Sequence, residues 1–421
     1  MQVHYDNARR NRGIQELRES RRNIELSPLN LVVGPNASGK SNFVGALRFL
    51  QECIRSNAEI AVNDLGGVNE VRNRSQRRAK SPNLLRIGVI LDDEFKFFSA
   101  GDGAVAASTE AETKEEVRIS DFSYSLSIDL GGKEDERPEI VDEVLTANVY
   151  NKGNSDTYEM RRDVDSVSVK NPLEDESSRP SGIAVPDTER IRPAVNVGFF
   201  SLPLLMFKRF VETWSFFNIS PHTARQSYKE RPDASLGMFG ENLAVMLRRL
   251  ESQNGKKELE RISGMLRGVI PGFKSVRALK EDHAGRWGLR VEEDHISGLL
   301  SPTGVSDGTI RLIALMVVAN LGTKQPGVIA IEEPENGLHP HILKHLIDIF
   351  RETSKTTQII ATTHNPEFLN HVAPKEVLFC GTVDGVTKVR RADSLKEIES
   401  FRKHFSLGEL YVQGTFDGMF E

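Results

Sequence analysis

The chain of 421 residues contains only two cysteines, Cys53 and Cys380. At most one disulfide could form, which excludes a small disulfide-stapled scaffold. Long apolar runs are missing too. The best, Leu312–Ala319, stops at Asn320, far short of the roughly 18 residues a membrane helix needs. Neither sign of charge dominates, with 55 Lys+Arg against 60 Asp+Glu and a net charge of −5. That balance argues against a protein that coats nucleic acid without regard to sequence. No period of about 20–50 residues recurs, so a solenoid is excluded. No heptad is sustained, so a long coiled-coil arm is absent. The polar start, Met1–Gly13, has no apolar segment of the secretory type, and a reducing cytoplasm is the expected compartment.

What is present alternates between strand-like and helix-like stretches. Leu29–Val33 (LNLVV) is a short apolar run that predicts a buried parallel strand. Across Asn42–Ile54, Phe43, Ala46, Leu47 and Leu50 recur at helical spacing. Leu84–Leu91 and Asp121–Leu130 alternate apolar and polar residues, as antiparallel strands with one wet face do. Ser99–Glu116 reads as a loop, and Asn151–Pro193, centred on NPLEDESSRPSG, as a mobile insertion. Further on, helices are expected over Phe207–Phe217, Glu241–Leu250 and Lys257–Val269, then a hairpin of Phe273–Lys280 and Trp287–Val291. The last third predicts helix Thr309–Leu321, strand Val328–Ile331, helix Ile342–Glu352, and strands Gln358–Thr362 and Val377–Cys380.

Gly34-Pro35-Asn36-Ala37-Ser38-Gly39-Lys40-Ser41 matches G-x-x-x-x-G-K-[ST] without a mismatch. A buried strand precedes it and an amphipathic helix follows, which is the context a phosphate loop requires. Glycines let backbone N–H groups approach phosphate oxygens, and the helix N-terminus adds its positive end. Lys40 would reach the β- and γ-phosphates, and the Ser41 hydroxyl would hold Mg²⁺. The nucleotide-contacting stretch is Gly34, Asn36, Ala37, Ser38, Gly39, Lys40, Ser41 and Asn42.

A second half of such a site is encoded far downstream. Val328-Ile329-Ala330-Ile331-Glu332-Glu333 is an apolar strand ending in two carboxylates. Parallel neighbouring strands bring their C-terminal ends together. Glu332 would assist Mg²⁺ through its water shell, and Glu333 would orient and deprotonate the attacking water. Ser306 and the Gly308 backbone, before an apolar helix, form an anion site that needs no lysine. His364, just past the strand Gln358–Thr362, can contact a γ-phosphate, although a lone loop histidine is usually only solvated.

The order and spacing of these pieces resemble the ABC-type ATPases of the SMC/RecF/OLD-like branch, a group of AAA-family ATP-binding proteins. The matching segments are LNLVVGPNASGKSN, VSDGT, VIAIEEPENGLHP and ATTHNPEFL. The resemblance implies an α/β P-loop ATPase head, a mixed sheet flanked by helices, with an antiparallel β-subdomain and an inserted helical lobe. The expected segments are 1–150 for the N-terminal part of the head, 151–193 for the insertion, 194–300 for the helical lobe and hairpin, and 301–421 for the C-terminal part. It further implies that two heads sandwich ATP head to tail. Ser306 and Gly308 would then act in trans, Asn336 would lie at the D-loop, and His364 would sense the γ-phosphate in cis. Two points depart from the pattern: Glu332 stands where Asp is usual, and neither Gln51 nor Gln76 is a persuasive Q-loop glutamine.

Spacing narrows the choice. The separation of 293 positions from Lys40 to Glu333 exceeds what a transporter subunit uses, yet the stretch holds no coiled coil. The 57 residues after His364 are too few for the TOPRIM nuclease domain of OLD-type enzymes. The expectation is an ATPase using ATP and Mg²⁺, without its own nuclease. It would form homodimers or larger homo-oligomers and regulate a separately encoded effector in anti-phage defence. The alternatives are a RecF-like DNA-repair or DNA-loading ATPase, and an ATP-gated adaptor with negligible turnover. The basic run Arg72–Lys80 could contact nucleic acid or be a solvated loop. His339, His341 and His345 lack acidic or Cys partners at zinc-site spacing.

Overall fold

The computed structural model describes residues 2–8, 24–71, 84–91, 95–100, 104–106, 115–131, 137–151, 153–173, 182–196, 201–231, 235–252, 257–281, 285–323, 327–383, 386–395 and 398–416. Two compact units share the chain. One comprises 1–26, 42–212 and 384–386, and the other 27–41, 213–383 and 387–421.

The first unit is built on an antiparallel sheet. Its strands run in the order Ile183–Ala184, Ser166–Lys170, Asn154–Arg162, Glu139–Asn151, Glu115–Asp129, Leu84–Leu91, Gln2–Ala8 and Ile24–Glu25. Phe95–Ala100 joins Glu115–Asp129 and pairs in turn with Ala104–Ala106. Alternation explains the pairing: on Glu139–Asn151, Ile140, Leu145, Ala147 and Val149 are buried while their neighbours are more open. Two expectations need correction here. Part of the Ser99–Glu116 loop is strand, because Ala104–Ala106 pairs antiparallel with Phe98, Ser99 and Ala100. The 151–193 stretch carries three strands of the sheet, Asn154–Arg162, Ser166–Lys170 and Ile183–Ala184, with Tyr158, Met160 and Arg162 on one buried face, while residues 174–181 at its centre lie outside the described residues.

Arg162 explains part of that order. It is 2% exposed and lies 3.7 Å from the carboxylate of fully buried Glu143. Glu143 also accepts from Tyr124 Oη at 2.9 Å and from the Ala194 N–H at 2.7 Å. The guanidinium donates to the carbonyls of Glu189 and Arg192. Buried charges persist only when paired and hydrogen-bonded in this way, and of the Arg162 nitrogens Nε has no partner among the described residues.

The second unit holds a six-stranded sheet in the order Ser215–Phe217, Val328–Glu332, Gln358–Thr363, Leu29–Val33, Val377–Val383 and Val386–Arg391. The first five are parallel to their neighbours. Every residue of Leu29–Val33 is buried, as a central strand covered on both faces demands. Register sets the site: Glu332 lies opposite Thr362, and Thr363 opposite Val33. Three strand ends therefore stand side by side.

Helices Leu243–Ser252 and Lys257–Arg267, with the hairpin Phe273–Lys280 and Arg286–Glu293, share one apolar core with helix Asp307–Gly322. That last helix buries almost its whole circumference, Ile310 to Ala319, so its sequence lacks a polar stripe. The Phe207–Phe217 helix is instead helix Leu202–Glu212 followed by strand Ser215–Phe217. Trp214 and the aromatic pair beyond it suit an extended edge better than a continuing helix. The helix after the phosphate loop spans Lys40–Arg55. Val386–Arg391 is a strand that the polar sequence VTKVRR did not signal.

Candidate nucleotide-binding site

The loop after Leu29–Val33 is shaped by its own small residues. Ala37 and Gly39 have φ of 63° and 96°, with Ser38 between them, a backbone pattern suited to anion nests. A Cβ at Gly34 would collide with the Cys380 carbonyl and with Ser38 Oγ, and one at Gly39 with the Thr387 side chain. Both positions thus require glycine on steric grounds. Lys40, 8% exposed, donates from Nζ to the carbonyls of Gly34 at 2.8 Å and Pro35 at 3.1 Å. Its ammonium is therefore held over the loop from which phosphates would be gripped. Ser38 Oγ is buried with no hydrogen-bond partner among the described residues. A buried hydroxyl without a partner is costly unless a ligand supplies one, so the loop fits a phosphate group. Asn36, Ala37, Ser41 and Asn42 are exposed on its outer side.

The structure brings Ser41 to Glu332, whose Oε2 accepts the Ser41 hydroxyl at 3.1 Å. This pair comes from the helix start and from the end of the Val328–Glu332 strand, 291 residues apart. A hydroxyl and a carboxylate presented together are hard oxygen ligands of the kind Mg²⁺ takes, with water filling the other positions.

Glu333 follows with φ of 45°, an unusual conformation for a side chain of this size. Its N–H reaches the Thr362 carbonyl at 3.0 Å, which fixes the turn. Its Oε2 meets His364 Nδ1 at 2.6 Å. Arg311, on helix Asp307–Gly322, reaches the Glu333 carbonyl at 3.4 Å. Burial lowers the Arg311 pKa, and the nearby Glu335 and Asp307 charges oppose that shift.

Ser306 caps the Asp307–Gly322 helix, accepting the Thr309 N–H at 3.1 Å. The Gly308 backbone runs against the Gly337 carbonyl, which a Cβ would approach to 2.7 Å. The sequence Ser306 to Gly308 thus adjoins the turn that carries Asn336, whose N–H bonds to the Glu333 carbonyl at 3.2 Å. Among the described residues neither Ser306 nor Gly308 hydrogen-bonds to the phosphate loop. His339 and His341 face each other, Nδ1 to Nδ1, at 2.7 Å. Gln51 is buried and donates to the Val211 carbonyl at 2.9 Å. Gln76 and the Arg72–Lys80 run lie outside the described residues.

Residue-by-residue reading missed several supports. Arg225 donates to the carbonyls of Pro302 and Val305 at 2.9 and 2.6 Å and pairs with Asp307, bracing the loop before the helix. Thr363 and Glu335 hydrogen-bond in the buried turn beside Glu333. Burial raises the Glu335 pKa to about 8, with the Thr363 bond opposing the shift and the Glu333 charge adding to it. Only the ATT-x-N and EEPEN strings hinted at these contacts, and strand-end threonines are common without any function.

A parallel α/β sheet with a phosphate loop on one strand and paired carboxylates on another defines a P-loop ATPase-type module. The chain belongs to the family described as "AAA domain, putative AbiEii toxin, Type IV TA system", whose model matches residues 29–129 and 208–370. No curated protein matches it. It is similar to a solved structure of an Smc head bound to the C-terminal winged-helix domain of ScpA, at 14% identity and TM-score 0.47, covering 92% of this chain and 96% of that one. It is also similar to an Smc head with an extended coiled coil bound to the C-terminal domain of ScpA derived from Pyrococcus furiosus. There the identity is 12% and the TM-score 0.46, covering 95% of this chain and 98% of that one. A third is the SMC head domain from Thermotoga maritima, at 13% identity and TM-score 0.37, covering 93% and 97%.

Proposed function

We propose that the protein binds and hydrolyses ATP, and that ATP cements two copies of it head to tail. The observation that carries this reading is the Ser41–Glu332 contact of 3.1 Å, with the Glu333–His364 pair beside it. Lys40 and the Gly34–Ser41 backbone hold the phosphates through charge-assisted bonds. Mg²⁺ held at Ser41 and Glu332 would neutralise phosphate charge. Glu333, one position beyond the Val328–Glu332 strand, takes a proton from the attacking water as general base. His364 orients the Glu333 carboxylate and reaches the γ-phosphate. Ser306 and Gly308 complete the partner copy's site, with Asn336 at the contact between copies.

The wider role we infer is control of a separately encoded effector, such as a nuclease, in anti-phage defence. The family's description, which names a putative toxin of a type IV toxin–antitoxin system, favours this role over DNA repair. A RecF-like DNA-loading ATPase is the rival, and a DNA-stimulated turnover with a steep salt slope would select it.

Phosphate release from purified protein with Mg·ATP tests the ATPase reading. The wild type should release phosphate, and Lys40→Ala should lose nucleotide binding or turnover. Equal release by both would remove the Gly34–Ser41 loop from the reaction. Co-purification with the product of a neighbouring gene tests the effector role. A protein that elutes alone in every nucleotide state would count against it.

A further inference from the structure

The turn beyond Glu333 holds a second carboxyl that the reading above leaves idle. Glu335 is only 4% exposed. Thr363 Oγ1 accepts the Asn365 N–H at 3.0 Å and donates its own proton to Glu335 Oε1. That oxygen is therefore fixed as an acceptor. The other, Oε2, is buried and meets no donor among the described residues. Ligand atoms of Glu333, Glu335 and His364 all lie within 4.8 Å of one another. As an anion, Oε2 would be buried, unpaired and next to a second carboxylate, three costs at once. As a hydroxyl it becomes a donor, and the Glu333 carboxylate is the neighbouring acceptor.

We propose that Glu335 is a positioning residue for Glu333: as a carboxylic acid it donates a hydrogen bond from Oε2 to the Glu333 carboxylate and fixes that group against His364. The inference rests on the ATPase reading and deepens it. The charged and titratable groups facing Glu335 are Glu333, His364 and Arg311, the last of these also influenced by Asp307. Burial dominates their balance, and it keeps the proton on Glu335 up to about pH 8. Above that pH two adjacent anions repel, and the Glu333 carboxylate loses one of the two bonds that orient it.

The test is single-turnover ATP hydrolysis by the full chain across pH, with Glu335→Gln and Glu335→Ala. The glutamine amide supplies the same donor at every pH and leaves Oε1 for Thr363. Glu335→Gln should therefore keep the wild-type rate at neutral pH within about threefold, while Glu335→Ala slows it by about 10–100-fold with KM little changed. Wild type should lose rate as pH rises through about 8, and Glu335→Gln should lack that limb. The infrared difference spectrum between wild type and Glu335→Gln reads the proton without turnover. At neutral pH it should show a carboxylic-acid C=O band. Matching pH profiles in wild type and Glu335→Gln, or no such band, would overturn the proposal. So would a divalent cation bound without nucleotide by wild type and lost in Glu335→Gln, because the three residues would then be a metal site. Should the wild type hydrolyse no ATP, the ATPase reading falls, and the infrared band alone decides the shared proton.

Discussion

Nδ1 of His364 lies 2.6 Å from Oε2 of Glu333, and each residue stands one position past the end of a parallel strand. The pairing follows from register, because Glu332 is opposite Thr362 and the two strands end within one residue of each other. The positive φ at Glu333 carries a cost of about 1–3 kcal/mol. Bonds from its N–H to Thr362 and from Arg311 to its carbonyl hold it there.

Gly34→Ala should damage the phosphate loop directly. Its Cβ would collide with the Cys380 carbonyl, which sits on the neighbouring strand and cannot swing away. We expect a loss of about 1–3 kcal/mol in stability and weaker nucleotide binding, read by thermal unfolding with and without ATP. Unchanged melting and affinity would show that the loop is looser than described.

Mixing tests the trans assignment of Ser306 and Gly308. Ser306→Arg should leave ATP binding by an isolated copy intact and block the composite site. Combined with Lys40→Ala copies, it should restore one active site per mixed dimer. A mixture as inactive as either variant alone would contradict the head-to-tail arrangement.

Glu335 also links stability to pH. Its folded pKa of about 8 stands above the unfolded value of about 4.3. Between these limits the folded state keeps a proton that the unfolded state releases. The group's contribution to stability therefore falls as pH rises from about 4 to about 8 and is flat on either side. Glu335→Gln removes this slope, so its melting temperature relative to wild type should climb between about pH 5 and about pH 8. A constant difference across that range would show that Glu335 is ionised in the folded protein.

Much of the second unit's sheet could be read from the chain because it rests on local signals. LNLVV, VIAIE and QIIATT are apolar runs with turn residues behind them. The Gly34–Ser41 loop is legible because glycine, lysine and serine are each required at one position. The strands Asn154–Arg162 and Ser166–Lys170 were hidden, since an interior arginine paired with Glu143 looks polar in sequence. Glu335 was hidden for a similar reason. It is hydrogen-bonded by Thr363, 28 residues away, and nothing in EEPEN marks one glutamate as the enclosed one. Helix Leu202–Glu212 was misplaced because apolar residues continue through Trp214 and Phe217 without a helical break.

The most direct measurement is single-turnover hydrolysis by Glu333→Gln beside equilibrium ATP binding by the same protein. The account predicts nucleotide binding close to wild type and hydrolysis slowed by about 10²–10⁴-fold, the range for loss of a general base. Turnover at the wild-type rate in that variant would contradict it.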